Sequence, residues 1–140
     1  RITQNRAKGK NTFIFIDEIY LLFQHEYSAN FLFTLWKRVR KYGAFATGIT
    51  QNVDDLLQSH TARTMLANSE FLIMLNQAST DRIELAKLLN ISDRQLSYIT
   101  NFDAGHGLIK VGSSLVPFAN KFPKNTKLYK LMTTKLGEGA

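Results

Sequence analysis

Two carboxylates, Asp17 and Glu18, follow directly on Phe13-Ile14-Phe15-Ile16. Four apolar residues of aromatic and β-branched type read as a fully buried strand. The acids then fall at its carboxyl tip, where open α/β sheets bind their ligands. Adjacent acids at such a tip can divide the work of a hydrolysis. Asp17 can hold the water shell of a Mg²⁺ ion, and Glu18 can orient or deprotonate the attacking water. The pair fits as well an N-capping Asp that opens the next helix.

Thr50-Gln51 closes a second strand-like run, Ala44–Thr50. Tips of neighbouring parallel strands lie side by side, so Gln51 could face Asp17 and Glu18 across a phosphate. A neutral amide can bond a terminal phosphate or the attacking water and lose that bond after hydrolysis. An ordinary polar residue between strand and loop reads the same way. The third candidate is Lys37-Arg38-Val39-Arg40-Lys41-Tyr42-Gly43. Arg38 and Arg40, fixed at a helix end, can supply charge to a transition state, including one in a neighbouring subunit. Surface charge that complements the helix dipole is the commoner fate of such a cluster.

The elements that must position these groups alternate between strand and helix. Residues 1–11 are polar and basic and read as a flexible lead-in to a single domain over 12–140. Ile19–Glu26 reads as a short helix. Ser28 is placed to cap a second helix, Ala29 to Tyr42, with Leu32, Leu35, Trp36 and Val39 as its apolar stripe. Gly43 sits where a terminating glycine is expected. Val53–Leu57 and Thr61–Ala67 read as short helices, and Phe71–Leu75 as a third buried strand. Ser79–Leu89 reads as a helix closed by Asn90, and Ser92 or Asp93 caps another to about Ile99. Gly107–Val111 and Leu115–Ala119 form a hairpin. This order predicts an α/β fold, a mainly parallel sheet flanked by helices with a terminal antiparallel hairpin.

Composition narrows the classes. The 140 residues carry a net charge of +7 and no cysteine, which excludes a disulfide framework and a thiolate metal site. No apolar run approaches the roughly 20 residues that span a bilayer. His25, His60 and His106 are scattered without metal-ligand spacing. No Gly-x-Ser-x-Gly elbow supports an esterase nucleophile. Charge is uneven. The region from Tyr42 to His106 has seven acids against four bases, whereas the tail from Lys121 has five lysines and one glutamate. Leu128, Tyr129, Leu131 and Met132 in that tail are able to dock on the body. A basic chain invites a nucleic-acid reading, although most of this charge fits solvated helix faces.

Taken together, the motifs resemble the motor ATPases of type IV secretion and conjugative transfer. The match is to the VirB-four family of the HerA/FtsK branch of RecA-like P-loop ATPases. Phe13–Glu18 matches its Walker B strand, Arg40-Lys41-Tyr42-Gly43 its Arg-Lys-x-x-Gly-like segment, and Thr50-Gln51 its Thr-Gln motif. Phe71–Gln77 resembles the strand that follows. Ala104-Gly105-His106-Gly107-Leu108-Ile109 with Val116-Pro117-Phe118 resembles the terminal hairpin. The resemblance spans about Thr12 to Thr134, the C-terminal part of a motor domain.

It implies catalytic roles for Glu18, Gln51 and Arg40, with Arg38 or Arg40 as a finger acting in trans. It also implies nucleotide contacts from Asp17, Glu18 and Gln51, and a water-mediated Mg²⁺ contact from Asp17. Mg²⁺ and ATP are the cofactors implied for the parent. Implied partners are sister subunits in a hexamer, the secretion-channel complex and DNA, at the cytoplasmic face of the membrane. The chain departs from the family pattern in one respect. Its only Gly-Lys, Gly9-Lys10, lacks the flanking residues of a phosphate loop. Without that loop no backbone nest cradles the phosphates, so this chain alone is expected to bind no cofactor tightly and to be inactive. The alternative reading is a non-enzymatic basic module that binds nucleic acid or a secretion-complex partner.

Overall fold

The computed structural model describes residues 1–77, 79–100 and 103–137. Glu138, the tail's one acid, lies outside them. The chain divides into two compact units, residues 1–69 with 80–91, and residues 70–79 with 92 onward. A single domain over 12–140 was expected. The boundaries fall at Glu70, Thr80 and Ser92, where no Gly/Pro-rich linker marks them.

The first unit opens with α1 (Ile2–Ala7), a short helix within the segment expected as a flexible lead-in. Asn5 Nδ2 donates to Thr12 Oγ1 at 2.9 Å, and the Arg6 guanidinium donates to the Lys41 carbonyl. β1 (Thr12–Ile16) and β2 (Ala44–Gly48) run parallel, in register from Thr12 opposite Ala44 to Ile16 opposite Gly48. Between them come a 3₁₀ turn (Ile19–Phe23), α2 (Glu26–Arg38) and a second 3₁₀ turn (Val39–Tyr42). Helix α2 starts before the expected Ser28 cap. The Ser28 hydroxyl instead donates back to the Leu22 carbonyl at 2.6 Å.

After β2 come α3 (Val53–Gln58) and α4 (His60–Ala67). Ser59 caps α4, its hydroxyl accepting from the Ala62 N–H at 3.3 Å. Ile19, Leu32, Leu56, Ala62 and Met65 are buried together as the core, with Ile16, Phe33 and Trp36 packed against it. Full burial of a side chain such as Leu32 stabilises by about 1.5–3 kcal/mol. From Thr80, helix α5 (Ser79–Leu89) also belongs to this unit and buries Leu85 and Leu89.

The first two strands are not fully buried, as their apolar character had suggested. Helices cover one face. On the other, Phe13, Phe15 and Phe45 are 64%, 70% and 52% exposed, and the Phe13 and Phe45 rings stack at 5.1 Å. Apolar residues on both faces are the pattern of a parallel strand covered on both sides; the described residues of this unit cover one face.

The second unit is built on β3 (Phe71–Met74), β4 (His106–Val111) and β5 (Ser114–Ala119) in the order β3-β4-β5, all antiparallel. Phe71–Met74 is therefore a strand as expected, but it does not extend the parallel pair. Its backbone groups pair with the hairpin, Met74 opposite Leu108. Gly107 makes that pairing possible, since a Cβ there would lie 2.3 Å from the Met74 carbonyl oxygen. The unit also holds α6 (Asp93–Leu96), a 3₁₀ turn (Ser97–Ile99) and α7 (Lys127–Met132). A Ser92–Gln95 capping box starts α6. Among the described residues no helix is long and apolar enough to cross a membrane.

Candidate functional site

All five candidate residues fall in the first unit, but they occupy two ends of the parallel pair. Asp17 and Glu18 leave the carboxyl end of β1, and Gln51 lies three residues beyond the end of β2. The parallel register continues past the strands, with Ile49 N–H donating to the Ile16 carbonyl at 2.8 Å. Ile19 N–H then returns to the Ile49 carbonyl at 3.0 Å. The two acids are thus enclosed in a short turn pinned at both sides to the second strand.

Glu18 adopts a left-handed backbone, φ 48° and ψ 45°. A non-glycine residue there is strained and persists only where its surroundings enforce it. Three contacts do so. The Glu18 N–H donates to Asp17 Oδ1 at 3.0 Å, Ile19 is buried in the core, and the Ile19 backbone is tied to Ile49. Gly48 completes the arrangement. A Cβ on Gly48 would sit 2.6 Å from Ile19 Cδ1, so a larger residue would push on the Ile19 side chain where it folds over the end of β2. Asp17 does not cap the following helix, for which Glu18 holds the N-cap position without a side-chain bond. Asp17 is exposed and Glu18 half-buried, so both carboxylates are open to a ligand.

Gln51 is exposed and held in a turn of its own. Thr50 Oγ1 accepts from the Asn52 N–H at 3.0 Å. Asn52 in turn caps α3, its Oδ1 accepting from the Asp55 N–H at 3.3 Å. The amide therefore projects from a residue fixed on both sides. Gly48, Ile19 and Asn52 are positioning residues that motif reasoning missed. A lone glycine inside a strand pattern signals close backbone approach, and Asn two residues before Asp-Asp signals a helix start.

Arg38 and Arg40 lie elsewhere. They end α2 and enter the second 3₁₀ turn, which leads through Gly43 into the amino end of β2. The whole of β2 separates them from Gln51, a length of about 16 Å at ~3.3 Å per residue. The topology puts the cluster at the end of the pair opposite the acids. Both arginines are exposed. Around them the Arg6 guanidinium lies 5.9 Å from the Tyr42 ring centroid and Lys37 Nζ 3.9 Å from that of Phe33. Arg38 borders an apolar groove formed by Ile2, Phe31, Leu35, Val39 and Tyr42.

Asp17 fits a water-mediated Mg²⁺ contact in its chemistry, with an exposed carboxylate at a strand tip. Among the described residues no three His, Asp or Glu side chains cluster as a direct metal site. The phosphate-cradling loop is not in the sequence.

Comparison with known proteins bears on the fold and the family. A structure of VirB4 from Thermoanaerobacter pseudethanolicus is similar over 81% of the chain, with a TM-score of 0.75 and 26% identity. The chain spans 32% of that VirB4 chain. No curated protein matches it by sequence. The model of the TraG P-loop domain matches residues 3–108, from the first helix through the third strand and into the hairpin. The chain belongs to the TraG P-loop domain family.

Proposed function

We infer that this chain is part of the ATP-hydrolysing motor of a type IV secretion or conjugative transfer system, and that it carries the water-activating portion of the site. One observation supports this above the others: the strained, doubly pinned Asp17-Glu18 turn beside the end of the strand that leads to Gln51. Strain at a non-glycine residue has a cost, and acids at functional sites are where proteins bear it. When Mg²⁺-ATP is bound in the full-length protein, the ion supplies charge neutralisation at the phosphates. Asp17 would hold that ion through a water. Glu18 accepts a hydrogen bond, then a proton, from the attacking water. Gln51 donates its amide N–H to the terminal phosphate or accepts from that water, and so reports whether the phosphate is present.

Arg40, with Arg38 beside it, acts on nucleotide held by the next subunit of a hexamer. The ~16 Å of strand between it and the acid end is beyond what one side chain bridges, which favours action in trans. The secretion-channel complex and the transferred DNA are the proposed partners, at the cytoplasmic face of the membrane. The phosphate cradle is supplied by sequence outside these residues. Accordingly the purified chain should hydrolyse ATP no faster than buffer, and Glu18→Gln should leave that background unchanged. Steady turnover that Glu18→Gln abolishes would contradict the reading of an incomplete site.

A further inference from the structure

The short helix α7 is turned inside out. Its apolar side chains Leu128, Leu131 and Met132 follow helical spacing onto one face, yet they are 56%, 64% and 73% exposed. Of the four tail residues able to dock, these three do not. The side chain that turns inward is Tyr129, half-buried and stacked on Phe122 with ring centroids 6.5 Å apart. Phe122 before the helix and Leu136 beyond it are exposed as well. Five lysines run through the same segment, Lys121, Lys124, Lys127, Lys130 and Lys135, and residues 104–137 contain no acid. Lys121 pairs with Asp103 at 3.5 Å, while Lys127 and Lys130 on the helix and Lys135 beyond it are exposed.

We propose that residues 121–137 are an interfacial attachment site for an anionic phospholipid surface. The two halves of the pattern choose this occupant together. Lysines alone would suit nucleic acid, and an exposed Leu-Leu-Met face alone would suit an apolar groove. A bilayer surface with anionic headgroups takes both, the lysines at the headgroups and the apolar face at the acyl boundary. The apolar residues also lie on two stretches separated by Thr133-Thr134, and a fluid surface imposes no register on them. The site deepens the proposed placement at a membrane face and is independent of the nucleotide chemistry, so neither depends on the other's test.

The test is co-sedimentation of the 140-residue chain with vesicles of phosphatidylcholine alone and of equal parts phosphatidylcholine and phosphatidylglycerol. Binding to the anionic vesicles is expected, with release as salt is raised. Lysine near an anionic surface strengthens attachment about fivefold per residue. Lys127→Gln/Lys130→Gln should therefore weaken partitioning about 25-fold. Leu128→Ser/Leu131→Ser/Met132→Ser alters only exposed side chains and should abolish it with the thermal unfolding profile intact. Lys8→Gln/Lys10→Gln removes the same charge elsewhere and should leave it unchanged. No binding to anionic vesicles, or binding that survives the triple Ser variant, overturns the proposal. So does a dimer in buffer that the triple Ser variant dissociates, since the face would then be a contact between copies.

Discussion

At the carboxyl end of the β1–β2 pair, two acids and an amide leave the strands in turns that backbone hydrogen bonds hold shut. At the amino end, four basic side chains from Lys37 to Lys41 crowd a helix terminus and the 3₁₀ turn that follows it. The acid end is rigid because it is built into the sheet and the core, through Ile19. The basic end is fixed differently, by a helix terminus, by Gly43 and by Arg6 reaching over from α1. The contrast teaches that the groups proposed to meet the attacking water, Asp17 and Glu18, are the ones whose backbone is over-determined. The arginines are long and exposed, suited to reaching outward to something the chain does not itself hold.

That contrast can be broken by substitution. Arg40→Ala in a full-length protein carrying this domain should lower turnover by about 10³-fold or more, because transition-state charge is left unpaired. Nucleotide affinity and thermal stability should stay near wild type. If turnover survives in both Arg40→Ala and Arg38→Ala, the basic end is dipole-complementing surface charge, worth only about 0.3–1 kcal/mol of stability. Glu18→Gln should cost about 10²–10⁴-fold in turnover, the range for loss of a general base, with ATP still bound. Steady-state and binding measurements on the same preparations separate the two effects.

Two glycines sharpen the comparison at smaller scale. Gly48→Ala forces a Cβ against Ile19 and should destabilise the fold by about 1–3 kcal/mol, as overpacking does. It should also disturb the Glu18 turn, so turnover should fall beyond what lost stability explains. Gly43→Ala meets only Asn11 Oδ1 at 3.6 Å, so its cost is the left-handed backbone alone, about 1 kcal/mol. Chemical denaturation of both variants checks the order. A larger loss at Gly43 would mean the basic end is the more tightly built of the two.

Much of this architecture was legible in the sequence, and what was not has physical causes. Phe13–Ile16 with Asp17-Glu18, Gly43 as a helix stop, Ser92 as a cap and the Gly112-Ser113 hairpin all rest on local signals, and local signals survive folding. The pairing partner of Phe71–Met74 was not legible, because an apolar run says that a strand forms but not which edge it joins. Burial of Phe13 and Phe15 was over-read for a related reason. Apolar character reports what a face requires, and the cover it finds depends on residues distant in sequence. At the candidate site the acids and Gln51 stood out by type and position. Gly48 and Ile19 did not, since their role is a contact between segments nearly thirty residues apart. Arg40 stood out by residue type and helix-end position, which do not say which end of the sheet it occupies; the intervening strand sets it at the end away from Gln51.

The claim that the two ends serve different nucleotides is tested most directly by mixing Glu18→Gln and Arg40→Ala full-length subunits, each inactive alone. In a random equal mixture about one interface in four joins an intact Glu18 to an intact Arg40 across the subunit boundary. The account predicts that ATP turnover reappears on mixing, well above the sum of the separate preparations. Turnover that stays at that sum, in assemblies shown to contain both subunits, would mean both groups act within one subunit and would contradict it.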